Sequence, residues 1–230
     1  SKTSLSPFSR VTGLNRADCI GGFSCESEGA AGDFCGVEDC DYSGTLRYVR
    51  VEYSGVEISP NNELNCFTWN ALGCETDIAY CQAHMGSDDL FEWFGGKVIC
   101  THLVGTGGAD DGLDWQMGFR GGIQFAIIQR YADAGDRGIE ADNNELDFNA
   151  PCRSNPTVAN VTLVGPNVAG RGGEGIQLRH GTDAQIFNSI VMGFAEAGVR
   201  CQHAETVARG WRPDPGVYCD PTSVEFDETQ

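Results

Sequence analysis

DLFEWF (89–94), DGLDWQ (111–116) and RGIEAD (137–142) superimpose without a gap, and this alignment decides the fold. NCFTWN (65–70) extends it on one side, EGIQLR (174–179) and AGVRCQ (197–202) on the other. One column reads Phe67, Phe91, Leu113, Ile139, Ile176, Val199. The column two residues on reads Trp69, Trp93, Trp115, Ala141, Leu178, Cys201. Apolar residues at alternate positions in every copy mark a strand and not a helix.

A second strand type lies between the copies: LRYVRV (46–51), IAYCQA (78–83), VICTHL (98–103), IQFAII (123–128), VANVTL (158–163) and IFNSIV (186–191). Its apolar columns are Leu46/Ile78/Val98/Ile123/Val158/Ile186 and Val51/Ala83/Leu103/Ile128/Leu163/Val191. Starting at residues 46, 78, 98, 123, 158 and 186, these copies are spaced by 32, 20, 25, 35 and 28 residues. A constant pair of strands joined by turns of variable length is the pattern of a solenoid. The chain therefore reads as all-β, a right-handed parallel β-helix of about six coils stapled by disulfides. Its coils stack at ~4.8 Å and bury the apolar columns against one another. Residues 43–202 form the helix, 1–42 a Cys-rich N-terminal cap or partial first coil, and 203–230 a C-terminal cap or tail. Glycine, 31 of 230 residues, supplies the bends, as in GG (95–96), GG (121–122) and GRGGEG (170–175).

The stretches SGTLRYVRVEYSG (43–55), NELNCFTW (62–69), GSDDLFEWFGG (86–96), GADDGLDWQMGFRG (108–121), GDRGIEADN (135–143), CRSNPTVANVTLVG (152–165) and RHGTDAQIFNSIV (179–191) carry a family likeness. Together they resemble the right-handed parallel β-helix repeats of secreted and lipid-anchored surface proteins of bacteria such as myxobacteria and Bacteroidetes. The resemblance covers roughly residues 43–193. It implies the fold and an adhesin-like setting, and carries no assigned chemistry.

Acidic residues outnumber basic ones 33 to 15, for a net charge of -18 and a sequence pI near 4.4. Such a field disfavours nucleic acid as a partner, and no apolar run approaches the ~20 residues of a membrane-inserted helix. Eleven cysteines without any CxxC point to disulfides and an extracellular or cell-surface location, with one thiol left over. Cys66 and Cys74 flank one turn and are candidates to bridge it; Cys201 with Cys219 is a candidate staple for the tail. Ser1 opens a polar stretch with no signal peptide, as expected of a processed chain or a fragment.

The column between the two apolar ones is expected to point outward. It reads Thr68, Glu92, Asp114, Glu140, Gln177, Arg200, with a carboxylate on three consecutive coils. Asp88 and Asp89, after Ser87, precede one strand; Asp110 and Asp111 precede the next; Asp136 and Arg137 precede the third, and Asp142 follows it. Stacked acids repel, so the stripe needs protons, a cation or arginines to compensate it. A cation makes it a Ca²⁺ site with Asp88, Asp89, Asp110, Asp111, Asp136 and Asp142 as ligands, since Ca²⁺ takes oxygen donors. That is a non-catalytic adhesion-type module, binding a glycan or another cell-surface partner, with Trp93, Trp115, Arg120 and Arg137 as the glycan contacts.

Protons make it a polysaccharide hydrolase or lyase, with Glu92, Asp114 and Glu140 as acid, base and nucleophile. A purely structural Asp/Arg network is the third outcome. Trp69, Trp93 and Trp115 alternate with the acids and also fit an internal aromatic stack. The histidines, His84, His102, His180 and His203, show no ligand spacing and read as surface or turn residues. Open strand edges at the two ends make end-to-end self-assembly a further possibility.

Overall fold

The coils of the computed structural model stack into two parallel sheets, one of six strands and one of nine. The structure describes residues 25–26, 33–34, 39–59, 63–170 and 172–208. A short antiparallel pair, β1 (Cys25–Glu26) and β2 (Asp33–Phe34), precedes the coils. The first coil holds β3 (Thr45–Arg47) and β4 (Arg50–Glu52). The second holds β5 (Phe67–Asn70), β6 (Asp77–Ala79) and β7 (Gln82–His84). Next come β8 (Phe91–Phe94) with β9 (Ile99–Thr106), β10 (Leu113–Gln116) with β11 (Gly122–Gln129), and β12 (Ile139–Ala141) with β13 (Thr157–Val164). The last are β14 (Glu174–Leu178), β15 (Gln185–Phe187), β16 (Ile190–Met192) and β17 (Ala197–Cys201), followed by one helical turn, α1 (Ala204–Val207). The chain is a right-handed parallel β-helix, the hand that parallel crossovers take.

In the sheet β5-β8-β10-β12-β14-β17, Phe67, Phe91, Leu113, Ile139, Ile176 and Val199 pair in succession, as the alignment predicts. The other sheet corrects one copy. Cys100, not Val98, pairs with Ile78 and Ile123, and Gly105, not Leu103, pairs with Ala83 and Ile128. A slip of two residues leaves the inward face unchanged, so the apolar pattern cannot detect it. Glycine at 105 hid the true column. A Cβ there would lie 2.7 Å from Ile128 Cδ1 and 3.0 Å from Leu90 Cδ1, so neighbouring side chains already fill its place.

Every strand of that second sheet bends at one position. Tyr48, Tyr80, His102, Phe125, Asn160 and Asn188 stand in one column, and each has a positive φ, from 44° to 58°. Bulky residues rarely adopt this conformation. Here it is stabilised by stacking: ring centroids lie 4.8 Å apart from Tyr48 to Tyr80, 4.4 Å on to His102 and 5.0 Å on to Phe125. Asn188 Nδ2 donates to Asn160 Oδ1 to continue the column.

The core takes the inward columns of both sheets. Trp93 and Trp115 are wholly buried, Trp93 against Phe119 at 5.4 Å, so neither indole offers a face to a sugar. This corrects their assignment as glycan contacts. Trp115 Nε1 donates to Thr182 Oγ1 at 3.2 Å.

The cysteines also depart from expectation. Cys74 bridges Cys40, not Cys66. Cys152 is disulfide-bonded too, and Cys66, Cys81, Cys100 and Cys201 are free. Cys81 and Cys100 are buried among apolar neighbours, where a thiol serves as a small hydrophobe. Cys219 and most of both expected caps lie outside the described residues. Among the described residues, no helix is long and apolar enough to cross a membrane. At the last coil Val199 is 58% exposed, whereas Ile176, the same column one coil earlier, is 2% exposed.

Candidate functional site: a buried carboxylate face

The register stacks Thr68, Glu92, Asp114, Glu140, Gln177 and Arg200 on the side of the first sheet away from the core, as expected. Their exposure differs from expectation. Glu92, Asp114 and Glu140 keep 0%, 8% and 7% of their surface, so the acids form a sealed layer and not an open stripe. Neighbouring coils, a flanking ladder of Asx side chains and two arginines enclose them.

The ladder runs three residues ahead of the column. Asn65 Oδ1 accepts from the Asp89 N–H at 3.1 Å, Asp89 Oδ1 from the Asp111 N–H at 2.7 Å, and Asp111 Oδ1 from the Arg137 N–H at 2.6 Å. Each side chain thus ties its coil to the next. Two amides serve Glu92: Asn65 Nδ2 donates at 2.5 Å and Gln116 Nε2 at 3.0 Å. Neither amide was singled out in the sequence, although Asn65 aligns with Asp89 and Asp111 in the repeat.

Arginines compensate one half of the layer. Arg137 Nη1 meets Glu140 Oε1 at 2.5 Å and Asp136 at 2.8 Å, and its Nε lies 3.5 Å from Glu174. Arg179 bonds Glu140 Oε2, grips both oxygens of Asp142 at 2.9 and 3.1 Å, and approaches Glu145 at 3.7 Å. Arg137 is therefore committed to carboxylates, and Arg120 is buried, which removes both from an exposed glycan-binding surface.

The other half lacks that compensation. Asp89 and Asp114 form no ion pair among the described residues, and Asp114 Oδ1 is a buried oxygen without a hydrogen-bond partner. Ligand atoms of Asp89, Glu92 and Asp114 lie within 4.8 Å of one another; so do those of Asp111, Asp114 and Glu140. Asp114 belongs to both groups. Asp88, Asp89 and Asp110 form a further group at the rim, as do Asp110, Asp111 and Asp136.

Two unit charges 4.8 Å apart repel by about 3.5 kcal/mol at an effective dielectric of about 20, and each buried ion adds a desolvation cost of several kcal/mol. The cluster must take up protons or a cation. Without a cation, burial raises Asp111 to about 7, with Asp110 adding to it, and raises Glu140 to about 8, with Asp111 adding to it. Burial likewise holds Asp89 and Asp114 well above the usual carboxylate range, reinforced by Asp111 at the first and by Asp89 and Glu92 at the second.

The donor set fits a hard divalent cation. All the groups around Asp114 are carboxylates, and two oxygens each about 2.4 Å from one Ca²⁺ are at most about 4.8 Å apart. Of the residues expected as ligands, Asp89 and Asp111 lie against Asp114, Asp88, Asp110 and Asp136 stand at the rim, and Asp142 is held by Arg179. Glu92 and Asp114, expected as catalytic groups, join the candidate ligands.

Past Glu140 the face ends in a group that sequence spacing concealed. His180 Nδ1 lies 2.7 Å from Asp142 Oδ2, and the His180 N–H donates to His203 Nδ1 at 3.1 Å. The two imidazoles stack at 4.7 Å, and Phe148 lies 4.7 and 4.8 Å from them. Sequence separations of 38 and 23 residues become contacts because each coil returns the chain to the same face.

A family model described as a pectate-lyase-like β-helix domain matches residues 11–223 of the chain. No curated protein and no solved structure matches it.

Proposed function

The chain belongs to the pectate-lyase-like β-helix domain family, and from that premise we propose that its carboxylate face is a cation-dependent binding surface for acidic polysaccharide. A Ca²⁺ ion held by Asp89, Glu92 and Asp114 neutralises the sealed layer, and a cation at the rim group of Asp110, Asp111 and Asp136, where Asp110 is exposed, is the one that the carboxylate of a uronate polymer can reach. The setting is an extracellular or cell-surface, adhesion-type module. The Cys40–Cys74 disulfide supports an oxidising compartment, and family membership supports a role on polysaccharides.

The observation that carries this reading is Asp114. It is buried, has no ion pair among the described residues, and keeps Oδ1 without a partner where two carboxylate groups meet. Thermal melts test it. Ca²⁺ is expected to raise the Tm of the wild type and EDTA to lower it, while Asp114→Asn loses the Ca²⁺ response and its heat of binding by calorimetry. A wild-type Tm indifferent to both additions would sink the cation reading.

An enzyme built on Glu92, Asp114 and Glu140 is less well supported. Stacking spaces them as a retaining glycosidase requires, at about 5 Å, but Glu92 is wholly buried and Glu140 is held by two arginines.

A further inference from the structure

We propose that copies of the chain join head to tail, the first coil of one on the last coil of another, through the two free edges of the second sheet. Those edges have the same outline. β3 (Thr45–Arg47) and β4 (Arg50–Glu52) are two three-residue strands separated by two residues, and so are β15 (Gln185–Phe187) and β16 (Ile190–Met192). Between them Tyr48 and Asn188 make the same left-handed bend, at φ 57° and 44°. Among the described residues each edge pairs on one side only: β3 with β6 and β4 with β7 at the first, β15 and β16 with β13 at the last.

The core is unfinished at the same two places. In the inward column Leu46, Ile78, Cys100, Ile123, Val158, Ile186 the four middle residues are buried, and Leu46 and Ile186 are only half-buried. The column Val51, Ala83, Gly105, Ile128, Leu163, Val191 repeats this, with Val51 and Val191 half-buried. Setting Leu46 of one copy on Ile186 of another, and Val51 on Val191, continues both columns without a break. Four apolar side chains then leave water, the main favourable contribution to association. Tyr48, 76% exposed and first in its ring stack, comes to lie on Asn188 as each bend residue lies on the next.

The last edge is unguarded. Sheets blunt a free edge with charges, proline or a bulge, but β15 and β16 contain no charged residue and no proline. Phe187, Ile190 and Met192 are each more than half exposed. On the first edge Arg47 is held by Asp77 at 2.7 Å and Arg50 by Glu52, so little net charge faces outward there. Copies of a chain with net charge -18 repel unless they meet at such neutral surfaces.

The joint uses a different edge from each copy, so it leaves one of each free. A contact of this kind, repeated along the axis, does not close, and the product is a rod that grows. The other occupants of the last edge give different products. The chain's own residues beyond 208 would leave a monomer, and a second copy meeting last edge to last edge would stop at a dimer.

Sedimentation across a concentration series tests this, in salt that screens the net charge. Wild type is expected to leave 24.7 kDa and to pass beyond a dimer. Electron microscopy should show rods with an axial repeat of at least about 29 Å, about six coils at ~4.8 Å. The continued register sets Arg47 opposite Phe187, Arg50 opposite Ile190 and Glu52 opposite Met192. The triple variant Phe187→Lys, Ile190→Lys, Met192→Asp places like charges at all three pairs and is expected to weaken the joint at least about tenfold. Phe187→Asp, Ile190→Asp, Met192→Lys places opposite charges there and is expected to tighten it by about as much. All three positions are exposed, so both triples should melt near the wild type. The first triple makes the chain less negative and the second more so, and a general charge effect would therefore run the other way.

A wild type that stays at 24.7 kDa overturns the proposal, as does growth that ends at a dimer. So does any order of affinities other than the aspartate-rich triple first, wild type second and the lysine-rich triple last.

Discussion

Asp111 and Glu140 show what burying a carboxylate among carboxylates does to a single residue. Unfolded, both titrate near about 4; folded, they hold protons to about 7 and about 8. The native state thus binds more protons than the unfolded chain between those limits. Their contribution to stability is complete below about pH 4 and disappears as pH rises through 7 and 8. In EDTA, the Tm is expected to fall as pH is raised from 5 to 9, and Ca²⁺ to remove most of that fall. A Tm in EDTA that rises over this range would refute the assignment. His180 makes a different point: four histidines without ligand spacing gave no sign of its stack on His203, because spacing along the chain does not measure distance across a stack of coils of unequal length.

At the scale of the strand, the bend at Tyr48, Tyr80, His102, Phe125, Asn160 and Asn188 is a column in its own right. Tyr80→Val puts a β-branched residue into a left-handed conformation and removes two stacking contacts. It is expected to cost about 1–3 kcal/mol in chemical denaturation, and Tyr80→Asn less, since asparagine tolerates this backbone. Equal costs would mean that φ is not what the site selects. Sequence alone exposed much at this scale. Alternation and gapless copies were enough to pair Phe67 through Val199 correctly, because every copy carries a large inward residue there. The neighbouring sheet was legible except where Gly105 takes a core position with no side chain to announce it. The acids were located by the same alignment, but their enclosure was not, since burial of an outward column depends on turns and long-range partners such as Arg179.

For the whole molecule, among the described residues the strands β8, β10, β12 and β14 of the first sheet are paired on both sides, and β5 and β17 on one side only. Ile176→Ala is expected to cost about 2–5 kcal/mol, while Val199→Ala, in the same column but 58% exposed, should cost a small fraction of that. If the two costs match, the end is covered in solution, by residues beyond 208 or by another molecule. The Asx ladder has a mechanical consequence. Asp89 and Asp111 hold the backbone of the following coil while carrying the charges that face Asp114. Whatever pulls those carboxylates aside loosens a rivet between coils. If a cation binds there as proposed, the shaft is expected to be stiffer along its axis in calcium than in alkaline, calcium-poor water, which single-molecule stretching would measure.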